Sequence, residues 1–169
     1  MNQIQVGILI VSDRAFRGER SDATLPLLLQ EITAQGWNLN QSAIVPDEIE
    51  NISAKLVDWA DQHALDIILT SGGTGFAPRD ITPEATKLVI EKEAPGLAEA
   101  MRAASVKTTP YGMLSRGVAG IRKSTIIINL PGSPKGAIEN FQIISAILPH
   151  AVVLVKDNPS AENHHKINH

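Results

Sequence analysis

The sequence predicts an α/β domain of three layers, in which a doubly wound, mostly parallel sheet carries helices on both faces. Three observations carry this reading: short aliphatic runs suited to strands covered on both sides, segments of helical period between them, and glycine- or proline-rich turns directly after the runs. The 169 residues, 43% of them hydrophobic, suffice for a single core without disulfides.

Gln5 to Val11 is the first strand, an aliphatic run too continuous for a strand with one wet face. Ser21 or Asp22 caps a helix ending near Gln35, with Leu25, Leu28, Leu29 and Ile32 on its buried face and Gly36 as its stop. Trp37 to Val45 is the second strand, with Trp37, Leu39, Ala43 and Val45 in alternation. Ile52, Leu56 and Trp59 recur at helical spacing, so a second helix spans about Ile49 to His63, with Asp47 and Glu50 spaced as a capping box. Asp66 to Thr70 is the third buried strand. It opens into a loop, Ser71 to Asp80, that holds Gly72, Gly73 and Gly75, and Thr82 with Pro83 starts the third helix at the cap and first-turn positions.

Pro95-Gly96 interrupts the helical pattern, which resumes from Leu97 to about Ser105 and yields to a turn at Pro110 to Gly112. Val118 to Leu130 reads as a hairpin turning near Arg122 to Ser124, and Ser133 with Pro134 starts a last helix running to about Val155. One domain therefore covers residues 1–156. Residues 157–169 are predicted to form a flexible polar tail, which includes His164, His165 and His169.

Composition excludes several classes of function. Fifteen Lys and Arg against eighteen Asp and Glu give a net charge of −3, which argues against a general nucleic-acid binder, and 4% aromatic residues leave few stacking platforms. The absence of cysteine removes thiolate catalysis, disulfide frameworks and cysteine-held metal clusters. The first residues carry no basic segment, and the apolar run ends at Val11, too short to span a bilayer, so a cytoplasmic protein with no membrane partner is expected.

The strand–glycine loop–helix unit at Thr70 to Asp80 carries the strongest chemical signal. Glycines after a buried strand let backbone N–H groups approach an anion, and the next helix adds its positive end, so phosphate is the natural guest. The loop lacks the last glycine of the dinucleotide pattern, and the chain has no glycine-lysine-serine/threonine P-loop. Asp47 and Asp80 both follow strands and are expected at the ligand edge, where two carboxylates can hold Mg²⁺ against phosphate oxygens. For Asp47 a helix cap stands level with that role; for Asp80 the alternatives are a salt bridge with Arg79 or a cap on the next helix. Ser12-Asp13-Arg14, Leu114-Ser115-Arg116-Gly117 and Asn129 to Gly136 repeat the theme of small polar residues with one cation.

In combination and order these segments resemble the molybdopterin adenylyltransferase family, the MogA and MoaB type that includes the N-terminal domain of gephyrin. The resemblance runs from about Gln5 to Val155 on Ser12-Asp13-Arg14-Ala15, Pro46-Asp47-Glu48, Gly72-Gly73-Thr74-Gly75 with Arg79-Asp80, Thr82-Pro83-Glu84-Ala85, Leu114-Ser115-Arg116 and Asn129-Leu130-Pro131-Gly132-Ser133-Pro134-Lys135. It implies Mg²⁺-dependent transfer of AMP from ATP to the terminal phosphate of molybdopterin, with release of pyrophosphate, during molybdenum cofactor biosynthesis. It implies Asp47 and Asp80 as the catalytic and metal-holding carboxylates. Ser12, Asp13, Ser71, Gly72, Gly73, Thr74, Gly75, Ser115, Asn129, Pro131, Gly132, Ser133, Pro134 and Lys135 would bind nucleotide and pterin, with Lys135 or Arg116 balancing phosphate charge. Relatives form trimers, some paired into hexamers, so a homotrimer is expected, with a molybdate-insertion protein as a further partner. The chain is short like the MoaB branch, parts of which have lost or changed activity, and a non-catalytic molybdopterin carrier is the alternative; retention of both aspartates favours the enzyme.

Overall fold

Aliphatic content decides which strands lie in the middle of the sheet. In a computed structural model, which describes residues 3–63 and 65–156, β1 (Gln5–Val11), β3 (Ile67–Ser71) and β6 (Thr125–Leu130) occupy the centre, and nearly every residue in them is buried. The more polar β2 (Asn38–Val45) lies at one edge; β5 (Ala119–Arg122) and the two-residue β4 (Lys92–Glu93) lie at the other. The order is β2-β1-β3-β6-β5-β4, with the first four strands parallel and antiparallel pairing from β6 to β5 and from β5 to β4. This is the expected doubly wound, mostly parallel sheet in one domain.

Helices cover both faces. On one, α2 (Thr24–Ala34), α5 (Pro95–Thr108), α6 (Pro134–Ser145) and α7 (Leu148–Val155) contribute Leu28, Ile32, Met101, Phe141, Ile144 and Leu148 against Val6, Ile8, Ile10, Leu69 and Ile128. Trp37 meets Phe141 edge-on there, with ring centroids 5.7 Å apart. On the other face, α3 (Ile49–Asp61) and α4 (Thr82–Val89) set Ile52, Leu56, Trp59, Ala85 and Val89 against Leu9, Val11, Ile68 and Ile127. Gly7 breaks the first aliphatic run because Trp59 needs its space: a Cβ there would stand 2.8 Å from the indole.

Several local expectations change. A single turn, α1 (Asp13–Phe16), follows β1, with Ser12 capping it through the Ala15 N–H. Leu29 is half-exposed, since the buried stripe of α2 is carried by Leu28 and Ile32. Asp22 does hold the start of that helix, accepting from Thr24 and Leu25 N–H. Pro95 opens α5 rather than interrupting a helix, as the first turn needs no N–H at that position. The predicted last helix divides into α6 and α7, which bend by 64°. No single helix among the described residues is long and apolar enough to cross a membrane. The tail at 157–169, with its histidines, lies outside the described residues.

Candidate active site

The register brings the carboxyl ends of the four parallel strands to one edge, with Val11 beside Val45, Ile10 beside Ser71, and Ser71 beside Leu130. From β1 the chain winds to β2 on one side, and from β3 to β6 on the other. The loops therefore part between β1 and β3, the crevice where sheets of this kind bind ligands.

The glycine loop enters that crevice in a conformation only glycine tolerates. Gly72 has φ +111° and a Cβ there would lie 2.1 Å from the Val11 carbonyl oxygen; Gly73 has φ +63°. The loop is tied to α4 by the Thr82 hydroxyl, which donates to Gly72 O at 2.8 Å, and by Thr82 N–H, which donates to Gly73 O at 3.0 Å. Thr82 thus sits inside the first turn as a tether and is not the cap. Arg116 holds the other side: its N–H donates to Thr74 O, its Nε to Gly75 O at 2.7 Å and its Nη2 to Asp80 O, while its Nη1 pairs with Glu84. That pairing holds the Glu84 carboxyl below its ordinary range. Among the described residues the N–H groups of Gly73, Thr74 and Gly75 donate to no protein acceptor, so this backbone can receive an anion.

Both aspartates stand against this loop. Asp47 Oδ2 accepts the Asp13 N–H at 2.8 Å, and a Cβ on Gly73 would lie 3.0 Å from Asp47 Oδ1. Asp80 Oδ2 accepts the Ala77 N–H at 2.9 Å and would stand 2.8 Å from a Cβ on Gly75. The helix cap that stood level with the ligand role for Asp47 is not formed: Glu48 flanks α3, and no side chain caps that helix. Asp80 caps nothing either, since Ile81 holds that position, and Arg79 pairs with Asp13 in place of Asp80. Burial pushes the Asp47 carboxyl up, with the Asp13 and Asp80 charges adding to it, against the pull of the Asp13 N–H and Arg79. Asp13 is held low by the Arg79 guanidinium.

Two cavities, of about 410 and 430 Å³, meet at Gly73, Asp80, Gly132 and Ser133. The first also reaches Thr74, Gly75, Ser115 and Pro131; the second reaches Ser12, Asp47, Ser71, Gly72 and Pro134. Ser71 Oγ donates to Pro131 O at 2.8 Å, which joins the two loop systems. Three expected site residues line neither cavity. Asp13 is engaged by Arg79; Lys135 is 81% exposed with its ammonium 3.8 Å from Glu139; Asn129 is buried, donating to the Thr70 and Thr86 hydroxyls and accepting the Val118 N–H. Arg116 lines neither cavity, because its guanidinium is spent on the loop.

Sequence reasoning missed Arg20 and Thr24 in the second cavity, and Ser105, Tyr111 and Asn140 in the first. Asn140 had a legible signal, an amide on the apolar stripe of α6, and it is buried, hydrogen-bonded to Ser105 and Gly136 O. Arg20 had none that distinguished it from the nearby Arg14 and Arg17.

The two carboxylates fit a divalent cation. Each gives one oxygen to a backbone N–H and keeps Oδ1 free of hydrogen bonds among the described residues. Two carboxylates are what a small hard cation takes from a protein when water and phosphate complete its shell.

Known proteins match this geometry and sequence together. The family model described as "probable molybdopterin binding domain" matches residues 7–150. The chain is 47% identical over 161 residues to the molybdenum cofactor synthesis protein cinnamon of Drosophila melanogaster, covering 95% of this chain and 27% of that protein. It is 41% identical to a molybdopterin adenylyltransferase of Helicobacter pylori, covering 94% of this chain and 91% of the relative. It thus spans about a quarter of cinnamon and nearly all of the bacterial protein. Among solved structures, the molybdopterin biosynthesis enzyme MoaB of Thermus thermophilus superposes with a TM-score of 0.88 at 50% identity, covering 93% of this chain and 99% of that one.

Proposed function

The chain belongs to the molybdopterin binding domain family, and we propose that within it this protein is a molybdopterin adenylyltransferase acting in molybdenum cofactor biosynthesis. The observation that carries this reading is the pair Asp47 and Asp80, one from the loop after β2 and one at the end of the glycine loop, both against that loop's glycines where two cavities meet. Two adjoining cavities suit two substrates, and free backbone N–H groups with a carboxylate pair suit phosphate chemistry.

In the proposed reaction a terminal phosphate oxygen of molybdopterin attacks the α-phosphorus of ATP. The new P–O bond forms as the bond to the β-phosphate oxygen breaks, and pyrophosphate leaves with that electron pair. A phosphate monoester has a second pKa of about 6 and is largely dianionic at pH 7, so no general base is required and no histidine or cysteine is needed. The residues supply alignment and charge neutralisation. The N–H groups of Gly73, Thr74 and Gly75 receive phosphate oxygens, and Arg20 meets negative charge at the mouth of the second cavity. Mg²⁺, held by Asp47 and Asp80, would supply further neutralisation of the phosphate oxygens. Ser12, Ser71, Ser115, Pro131, Gly132, Ser133 and Pro134 shape the walls, Lys135 reaches phosphate only from the rim, and Asn129 braces the strand end from below. A cytoplasmic location and a homotrimer complete the proposal; light scattering reads the latter.

Single-turnover conversion of molybdopterin with Mg·ATP tests it, following adenylylated pterin and pyrophosphate for the wild type and Asp80→Ala. The expected result is both products from the wild type and at least a hundredfold slower formation by a folded Asp80→Ala, about the loss typical of removing one transition-state charge partner. Pterin binding without product in the wild type would establish a carrier instead, and pyrophosphate without adenylylated pterin a hydrolase.

A further inference from the structure

Arg79 lies near the end of the glycine loop, immediately before Asp80, yet its guanidinium reaches across to the segments after β1 and β2. Nε and Nη2 donate to the two carboxylate oxygens of Asp13, the latter at 2.9 Å, and Nη2 also donates to Asp47 O at 3.1 Å. Asp13 Oδ1 in turn accepts the Asp47 N–H at 3.1 Å, and Asp47 Oδ2 accepts the Asp13 N–H at 2.8 Å. Three loops close into one ring in which every hydrogen bond involves a charged group, the class of bond that is shortest and strongest.

Asp47 and Asp80 are like charges on separate loops, and neither bonds to the other. Something outside the pair must hold them together. Asp80's own loop is fixed on its far side by Arg116, through Gly75 O and Asp80 O. On the near side, among the described residues, the hydrogen bond from this loop that spans to Asp47 comes from Arg79, the residue next to Asp80. Neither Arg79 nor Asp13 lines either of the two cavities described above.

We propose that Arg79, acting through Asp13, is a positioning residue that sets where Asp47 stands relative to Asp80 and touches no substrate itself. Asp13 thereby moves from the substrate wall to the support behind it. The inference rests on the reading of Asp47 and Asp80 as the carboxylates of adenylyl transfer. It predicts that charge alone is insufficient, because a lysine ammonium cannot reproduce the two-pronged grip of a guanidinium on a carboxylate.

The test compares the whole chain with Arg79→Gln and Arg79→Lys in two ways. Amide hydrogen exchange at Asp13 and Asp47 is expected to speed by about tenfold or more in both variants, as befits loss of charged hydrogen bonds. The amide of Asp66, which donates to Gln5 O at the opposite end of the sheet, is expected to stay unchanged. In adenylyl transfer, kcat is expected to fall by about tenfold or more while KM for ATP stays within about twofold, the mark of misplaced groups rather than a lost substrate contact. Unchanged exchange, full recovery by Arg79→Lys, or a raised KM at constant kcat would each overturn the inference. If the wild type makes no adenylylated pterin, the proposed function falls, and the exchange comparison alone decides the clasp.

Discussion

Replacing Asp47 with Asn separates function from stability at a single atom. The change keeps the shape of the side chain and leaves an oxygen to accept the Asp13 N–H, now 2.8 Å from Asp47 Oδ2, but it removes the charge. Burial raises the Asp47 carboxyl above its ordinary value, and the Asp13 and Asp80 charges act in the same direction; the Asp13 N–H and Arg79 oppose them and are outweighed. A folded-state pKa above the unfolded one means that the ionised carboxylate weakens the fold at neutral pH. The penalty disappears as pH falls below the unfolded value of 3.8, where the group is protonated in both states. Exchanging a charge-assisted hydrogen bond for a neutral one costs about 1 kcal/mol, which relief from burial and repulsion offsets. Asp47→Asn is therefore expected to be as stable as the wild type at pH 7, or more stable by up to about 1 kcal/mol, a rise in Tm of at most about 4 °C. The two stability curves should converge at acid pH. Adenylyl transfer should fall by about a hundredfold or more, since a preorganised charge partner is worth about that much. Urea unfolding between pH 3 and 8, beside single-turnover kinetics, checks both halves. A variant that loses more than about 1 kcal/mol at pH 7, or that keeps its rate within threefold, would refute the reasoning.

Two further substitutions probe the scaffold. Gly72→Ala forces a side chain onto φ +111° and against the Val11 carbonyl oxygen, between two central strands that cannot part. A loss of about 3 kcal/mol or more by urea unfolding is expected, and a change under about 1 kcal/mol would show that the loop relaxes freely. Asn129→Ala strips partners from the Val118 N–H and from two buried hydroxyls, so a loss of about 2–4 kcal/mol is expected with KM for ATP nearly unchanged in the folded fraction. A raised KM at undiminished stability would place Asn129 in contact with substrate.

Much of this architecture was legible because it depends on local chemistry. The aliphatic runs at Gln5 to Val11 and Asp66 to Thr70 ask for cover on both faces, and both lie mid-sheet; the second arm of the hairpin expected over Val118 to Leu130 joins them there as β6. Ser133 before Pro134 marks the start of α6, and the cap hydrogen bond to Gly136 N–H is formed. The extra strand β4 had no such signature, since two residues pair there only because β5 offers an open edge. The break between α6 and α7 did carry a local signal that the reading of one last helix passed over: Pro149 has no N–H to donate within a continuous helix and stands instead in the first turn of α7.

At the candidate site, position after the strand ends sufficed to place Asp47, Asp80 and the glycine loop together at one sheet edge, because the parallel strands bring their carboxyl ends to the same side. What no local pattern contained was the partner of each charge. Arg79 stands beside Asp80 in the chain but grips Asp13, and Arg116, which reads as a phosphate ligand, is consumed by Gly75 O, Asp80 O and Glu84. A long cation reaches several angstroms in any direction, so its partner is chosen by which loops the sheet brings together. Elements, sheet edge and the chemical character of the cleft follow from local chemistry along the chain; which groups face the cavities and which hold them in place is settled by packing, between residues up to 66 positions apart.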